Sequence, residues 1–192
     1  MEGFWLSLGL IFLAELGDKT QLVALLLATR FKAWVVLAGI LTATLLVHAF
    51  SVTLGGGAGH LLPPGWIYVL SGLAFIGFGW WTLRGDSVDE DEYQSWCYNS
   101  PFVIVTVTFF MAELGDKTML STVTLAASQN LMPVWLGSSL GMVLSDALAI
   151  WAGQILGQRL PERALKIGAA VIFIAFGLFY IIYGAVNLEA GT

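Results

Sequence analysis

Residues 15–20 read Glu-Leu-Gly-Asp-Lys-Thr, and residues 113–118 read Glu-Leu-Gly-Asp-Lys-Thr again. Holding that offset of 98 without a gap aligns Gly39 with Gly137, Gly55 with Gly153, Gly59 with Gly157, Pro63 with Pro161 and Phe78 with Phe176. The second half of the chain is thus a diverged copy of the first, and the fold must be read as a repeat before it is read as a string of elements.

Around the motifs the chain is apolar. Of its 192 residues 58% are hydrophobic and only 11% charged, with a mean hydropathy of +0.84, against about 45–50% apolar and about 25% charged in a soluble domain. A soluble globule, a disordered chain and a disulfide scaffold are excluded by composition, and nucleic-acid binding has no basic patch to rest on. Crossing the hydrocarbon core takes about 20 mainly apolar residues, and six segments supply them: 4–28, 34–59, 66–84, 101–127, 133–157 and 165–187. The expected fold is an all-α integral membrane protein of six transmembrane helices. Residues 1–84 form the first three-helix repeat, 85–100 an acidic connector and 101–192 the second repeat. Three spans per copy is an odd number, so the copies enter the membrane from opposite sides and form an inverted-topology repeat, an architecture that sets a substrate site near the midplane between the copies.

The basic residues orient this bundle. Arg30, Lys32, Arg84, Arg159, Arg163 and Lys166 all fall in the junctions after spans 1, 3 and 5, whereas the alternate junctions and the termini carry none. Positive charge faces the cytoplasm, which predicts both termini outside and a cytoplasmic connector with its acidic run Asp86, Asp89, Glu90, Asp91 and Glu92. Met-Glu-Gly-Phe-Trp lacks a basic n-region, so the first apolar run reads as a retained helix. The single Cys97 matches no metal spacing and reads as an incidental thiol.

Against this background the intramembrane charges carry the function. Glu15, Asp18 and Lys19 lie within span 1, Glu113, Asp116 and Lys117 within span 4, and Asp146 within span 5, where span 2 has His48 at the equivalent position. An ionised residue at a helix centre costs about 2.5–3.5 kcal/mol even on the lenient insertion scale, so packing alone would not retain so many. In an unbroken helix the spacing 15, 18, 19 places all three side chains on one face. Gly17 and Gly115 lower helix propensity and would let another backbone approach, and Thr20 and Thr118 add hydroxyl oxygens one turn on. Two such spans bring four carboxylates and two hydroxyls toward one point. The donor set is oxygen-rich, which suits hard divalent ions such as Ca²⁺, Mn²⁺ and Mg²⁺. Crowded carboxylates are relieved by a divalent ion or by protons, and competition between the two is a physical route to antiport. His48 and Asp146 read either as proton-relay groups or as partners behind the ligating residues. The small residues Gly55, Gly59, Gly137, Gly141, Gly153 and Gly157 read as helix-packing contacts.

The duplicated motif resembles the Glu-x-Gly-Asp-(Lys/Arg)-(Thr/Ser) pattern of a family of small cation/proton exchangers. That family includes Golgi Gdt-type calcium and manganese transporters, chloroplast manganese transporters and bacterial manganese exporters. The resemblance covers nearly the whole chain. It implies that Glu15, Asp18, Glu113 and Asp116 bind a divalent cation, with Gly17, Lys19, Thr20, Gly115, Lys117 and Thr118 completing the motifs. It further implies a bacterial-type exporter in the inner membrane that moves Mn²⁺, with Ca²⁺ next, out of the cytoplasm in exchange for protons, with no cofactor beyond the transported ion. Two alternatives stand beside it: an exporter of an organic cation or amino acid whose amine meets the same carboxylates, and a metal-dependent membrane-embedded hydrolase. The hydrolase would need a phosphate-gripping arginine near the motifs, yet Arg30, Arg84, Arg159 and Arg163 all fall at predicted span ends.

Overall fold

A computed structural model describes residues 2–61, 63–84, 100–156 and 162–190. The acidic run of the connector, Cys97, Gly157, Arg159 and Pro161 lie outside the described residues. Eight helices are present among them: α1 (Glu2–Glu15), α2 (Lys19–Arg30), α3 (Ala33–Gly59), α4 (Pro64–Arg84), α5 (Pro101–Glu113), α6 (Lys117–Ser128), α7 (Leu131–Leu156) and α8 (Glu162–Ala190), with no strand. Four of them, in α3, α4, α7 and α8, are long and apolar enough to cross a membrane.

The remaining four correct the sequence reading. Spans 1 and 4 are each expected as a single helix, but the chain breaks both within the motif, between Glu15 and Lys19 and between Glu113 and Lys117. The cause is local. Gly17 and Gly115 adopt φ of 78° and 80°, the left-handed region that ends a helix and that side-chain-bearing residues avoid. The following aspartate then sits in extended backbone at the N-cap of the next helix, Asp18 before α2 and Asp116 before α6. The Asp116 carboxylate accepts the Thr118 backbone N–H at 3.5 Å, at the long end for a hydrogen bond. A close backbone approach is not what requires Gly115, since a Cβ there would meet nothing within 4 Å.

Packing interleaves the two halves. α1 lies on α7 and its counterpart α5 lies on α3, while α4 packs along α8. Phe75 and its repeat-mate Phe173 stack at 6.1 Å in that last contact. α3 packs against α5, α6 and α7. Lys32 stands at its N-cap, and at its far end Gly56 and Gly59 touch Leu131 and Ala127. At about 1.5 Å per residue the 27-residue α3 spans about 40 Å, so Lys32 and the α6–α7 junction lie at opposite ends of α3.

The radial distribution is inverted relative to a soluble protein. Large apolar side chains such as Trp34, Leu46, Phe50, Trp151, Val171 and Ile182 are exposed, whereas Glu15, Thr20, Gln21, Thr44, His48, Glu113, Thr118, Ser145 and Asp146 are buried. Such a surface is at home in lipid, and the buried polar groups make the interior the candidate functional region.

Candidate cation site

The two helix breaks meet in the interior. One carboxylate oxygen from each of Glu15, Glu113 and Asp116 lies within 4.8 Å of the others, and the three residues are 0%, 1% and 3% exposed. An ion ligated at about 2.0–2.6 Å accepts oxygens on opposite sides up to about 5 Å apart, so one hard divalent cation can touch all three. At such separations each pair of ionised carboxylates repels by about 3–4 kcal/mol at an effective dielectric of about 20. Such repulsion is relieved by a bound cation or by protons.

Each glutamate is aimed by its own motif. Thr20 donates its hydroxyl to Glu15 Oε2 at 2.9 Å, and Thr118 donates to Glu113 Oε2 at 3.0 Å, the same bond in both copies. Each hydroxyl also lies near its aspartate, at 3.5 Å from Asp18 and 3.4 Å from Asp116. The other oxygen of each glutamate, Oε1, is buried and has no hydrogen-bond partner among the described residues. A buried carboxylate oxygen left unpartnered is costly unless a ligand completes it, and a hard cation is one that would. The threonines thus hold the glutamates.

Asp18 takes a different part. It is bound by the Lys117 ammonium, with both side chains buried. This ion pair joins the first copy to the second across the interface, since Asp18 belongs to one motif and Lys117 to the other. Four carboxylates do converge on the centre, but three share an oxygen cluster and the fourth is engaged by a lysine. The Lys19 side chain lies outside the described set.

Residues beyond the motifs complete the surroundings. Gln21 accepts the Gly17 N–H at 2.8 Å and donates to the Ser145 hydroxyl at 2.7 Å and its carbonyl at 3.2 Å, tying the first break to α7. In the second copy the equivalent acceptor for the Gly115 N–H is the Met119 thioether, at 3.1 Å. Thr44 donates to Met142 Sδ at 3.1 Å, and these two positions are repeat-mates that meet each other. His48 Nδ1 pairs with Ser139 at 3.2 Å. Asp146 is 0% exposed and neither of its oxygens has a hydrogen-bond partner among the described residues. Sequence reasoning missed Gln21, Thr44, Ser139, Met142 and Ser145. The one available signal was Gln21, the first position after the motif at which the copies differ.

Comparison with known proteins agrees with this geometry. The family model described as "Divalent cation/proton antiporter GDT1" matches residues 3–90 and again residues 101–187. The chain belongs to this family of divalent cation/proton antiporters. It is a family of transporters rather than enzymes, which removes the hydrolase alternative. Similar proteins include a putative manganese exporter of Vibrio cholerae, 36% identical over 179 residues that cover 90% of this chain and 87% of that protein. GDT1-like protein 5 of Arabidopsis thaliana is 30% identical, covering 93% of this chain and 94% of its own. The divalent cation/proton antiporter GDT1 of Saccharomyces cerevisiae is 22% identical, covering 94% and 84%. No solved structure matches.

Proposed function

We propose that this chain exports Mn²⁺, and Ca²⁺ less favourably, from the cytoplasm in exchange for protons. Glu15, Asp18, Glu113 and Asp116 form the cation site, and Lys117 and Thr20 with Thr118 hold it. The observation that carries the reading is the oxygen cluster of Glu15, Glu113 and Asp116, drawn from both halves of the chain. The manganese preference is supported by the similarity to the Vibrio cholerae protein. The transported ion is substrate, and the exchange needs no other cofactor.

The same reading takes each broken pair, α1 with α2 and α5 with α6, as one interrupted span, which gives six spans in two inverted units, 1–84 and 101–192, joined by the connector 85–100. The two separate family matches support that division, as does the placement of the equivalent positions 32 and 130 at opposite ends of α3. Breaks of this kind belong in a membrane only where they line a cavity or face protein, and they bring half-helix ends to a substrate. The basic junctions support a reading with both termini outside a bacterial inner membrane. Moving a divalent ion outward against an inside-negative potential costs about 4.6 kcal/mol per 100 mV, which inward proton flow supplies.

The test is uptake by sealed vesicles of Mn²⁺ and Ca²⁺, side by side, under an imposed pH gradient. Mn²⁺ flux that follows the gradient, and falls at least tenfold in Glu15→Gln and Glu113→Gln, is the expected result. Flux indifferent to both the gradient and these substitutions would refute the exchange. A labelled amine that moves in place of Mn²⁺, and is not displaced by it, would transfer the site to an organic cation.

A further inference from the structure

The position equivalent to His48 is Asp146, so the two repeats differ in charge there. His48 has a hydroxyl partner in Ser139. Asp146 has no hydrogen bond to either oxygen and no ion pair among the described residues, although it is fully buried at the middle of α7. A carboxylate kept for structure caps a helix, pairs with a cation or accepts a bond, and this one does none of these. Its electrostatic neighbours are Glu15, Asp18 and Glu113, all of like charge. The nearby Lys117 ammonium is held by Asp18. The residue before it, Ser145, is fixed to Gln21 beside the first helix break, so this turn of α7 is held against the site.

We propose that Asp146 is a fifth cation-binding carboxylate of the site, contributed by one repeat only, and that it sets the affinity for the divalent ion. The proposal rests on the cation site described above. The motifs alone supply four carboxylates and two lysines, a net charge that one divalent ion balances. Asp146 adds a carboxylate just outside the cluster of Glu15, Glu113 and Asp116, and both its oxygens are free of protein hydrogen bonds and so available to water that the ion carries. Because α3 has a histidine at this position, the ion is attracted toward α7 and the Asp18 side of an otherwise symmetric centre.

The sign of two measurements separates this role from a structural one. The full-length protein, purified in detergent, is titrated with MnCl₂ by calorimetry, and its thermal midpoint is recorded with and without the ion. Asp146→Asn is nearly isosteric. It should weaken Mn²⁺ binding at least tenfold and shrink the ion-induced rise in midpoint, while the ion-free midpoint stays equal or rises, because a buried carboxyl without a hydrogen-bond partner has been replaced. An unchanged Mn²⁺ affinity, or an ion-free midpoint that falls while affinity is kept, overturns the proposal. Asp146→Ser is the second variant; failure of both to fold would assign the residue to structure and equally overturn it. Glu15→Gln and Glu113→Gln in the same titration separate the two levels. If they abolish binding and Asp146→Asn does not, only this inference fails. If the unsubstituted protein shows no Mn²⁺ binding, the proposed function fails first.

Discussion

Gly115 shows how one residue without a side chain can place two that have them. Its φ of 80° turns the chain between Glu113 and Asp116, so that the glutamate ends one helix and the aspartate begins the next. A Cβ at this position costs about 1–2 kcal/mol from the left-handed backbone alone. Nothing lies within 4 Å to add a clash. The rank order of substitutions follows from that separation. Gly115→Asn should lose less thermal stability and retain more Mn²⁺ transport than Gly115→Ala, because asparagine tolerates left-handed backbone better despite its larger side chain. Had close approach of another backbone been the reason for glycine, as the sequence alone suggested, the larger residue would be the worse of the two. Melting curves of the two variants, paired with vesicle uptake, decide between these orders.

Among the elements, the contact of α3 with α6 and its repeat-mate, the contact of α7 with α2, are not alike. A Cβ on Gly55 would stand 2.2 Å from the Val123 carbonyl oxygen and 2.7 Å from the Ala126 Cβ, whereas one on Gly153 would stand 2.4 Å from a Leu25 side-chain methyl. Val123 and Leu25 are equivalent positions. Backbone meets backbone on one side, and a leucine side chain intervenes on the other. Replacing a mid-helix glycine by alanine gains about 1 kcal/mol of helix propensity, while forced overpacking costs about 1–3 kcal/mol. Gly55→Ala should therefore lower the thermal midpoint clearly, since a carbonyl cannot step aside. Gly153→Ala should change it little, because Leu25 can change rotamer. Equal losses in the two variants would contradict the asymmetry.

The same elements mark the boundary of what was legible. The repeat, the motif residues and the four long helices could be read from spacing and hydropathy, because each is a local pattern or a fixed offset. The burial of Glu15 and Glu113 together followed from the repeat. The helix breaks were written in Leu-Gly-Asp, a left-handed glycine followed by an N-cap, but the apolar flanks on either side masked them as continuous spans. The Lys117–Asp18 pair, the Gln21–Ser145 bridge and the isolation of Asp146 depend on which helix of one half meets which of the other. No periodicity within a half carries that information.

At the scale of the whole molecule, the strongest consequence of the repeat concerns sidedness. Lys32 and Asn130 are equivalent positions in the two copies, each exposed and each ahead of a long helix. In a parallel repeat they would face the same compartment. Here Lys32 caps the start of α3, while the end of α3 packs against Ala127 and Leu131, on either side of Asn130. If α3 crosses the bilayer, the two positions lie on opposite sides of it, and the basic Arg30–Lys32 junction assigns the first to the cytoplasm. Cysteine at each site, in a Cys97→Ser background, gives the measurement. A membrane-impermeant maleimide applied to intact cells should label Asn130→Cys and leave Lys32→Cys unlabelled until the membrane is opened. His60→Cys, at the same end of α3 as Asn130, should follow Asn130→Cys. Labelling of Lys32→Cys and Asn130→Cys from the same side would rule out the inverted arrangement and, with it, a cation site built from two half-helix breaks that approach from opposite faces.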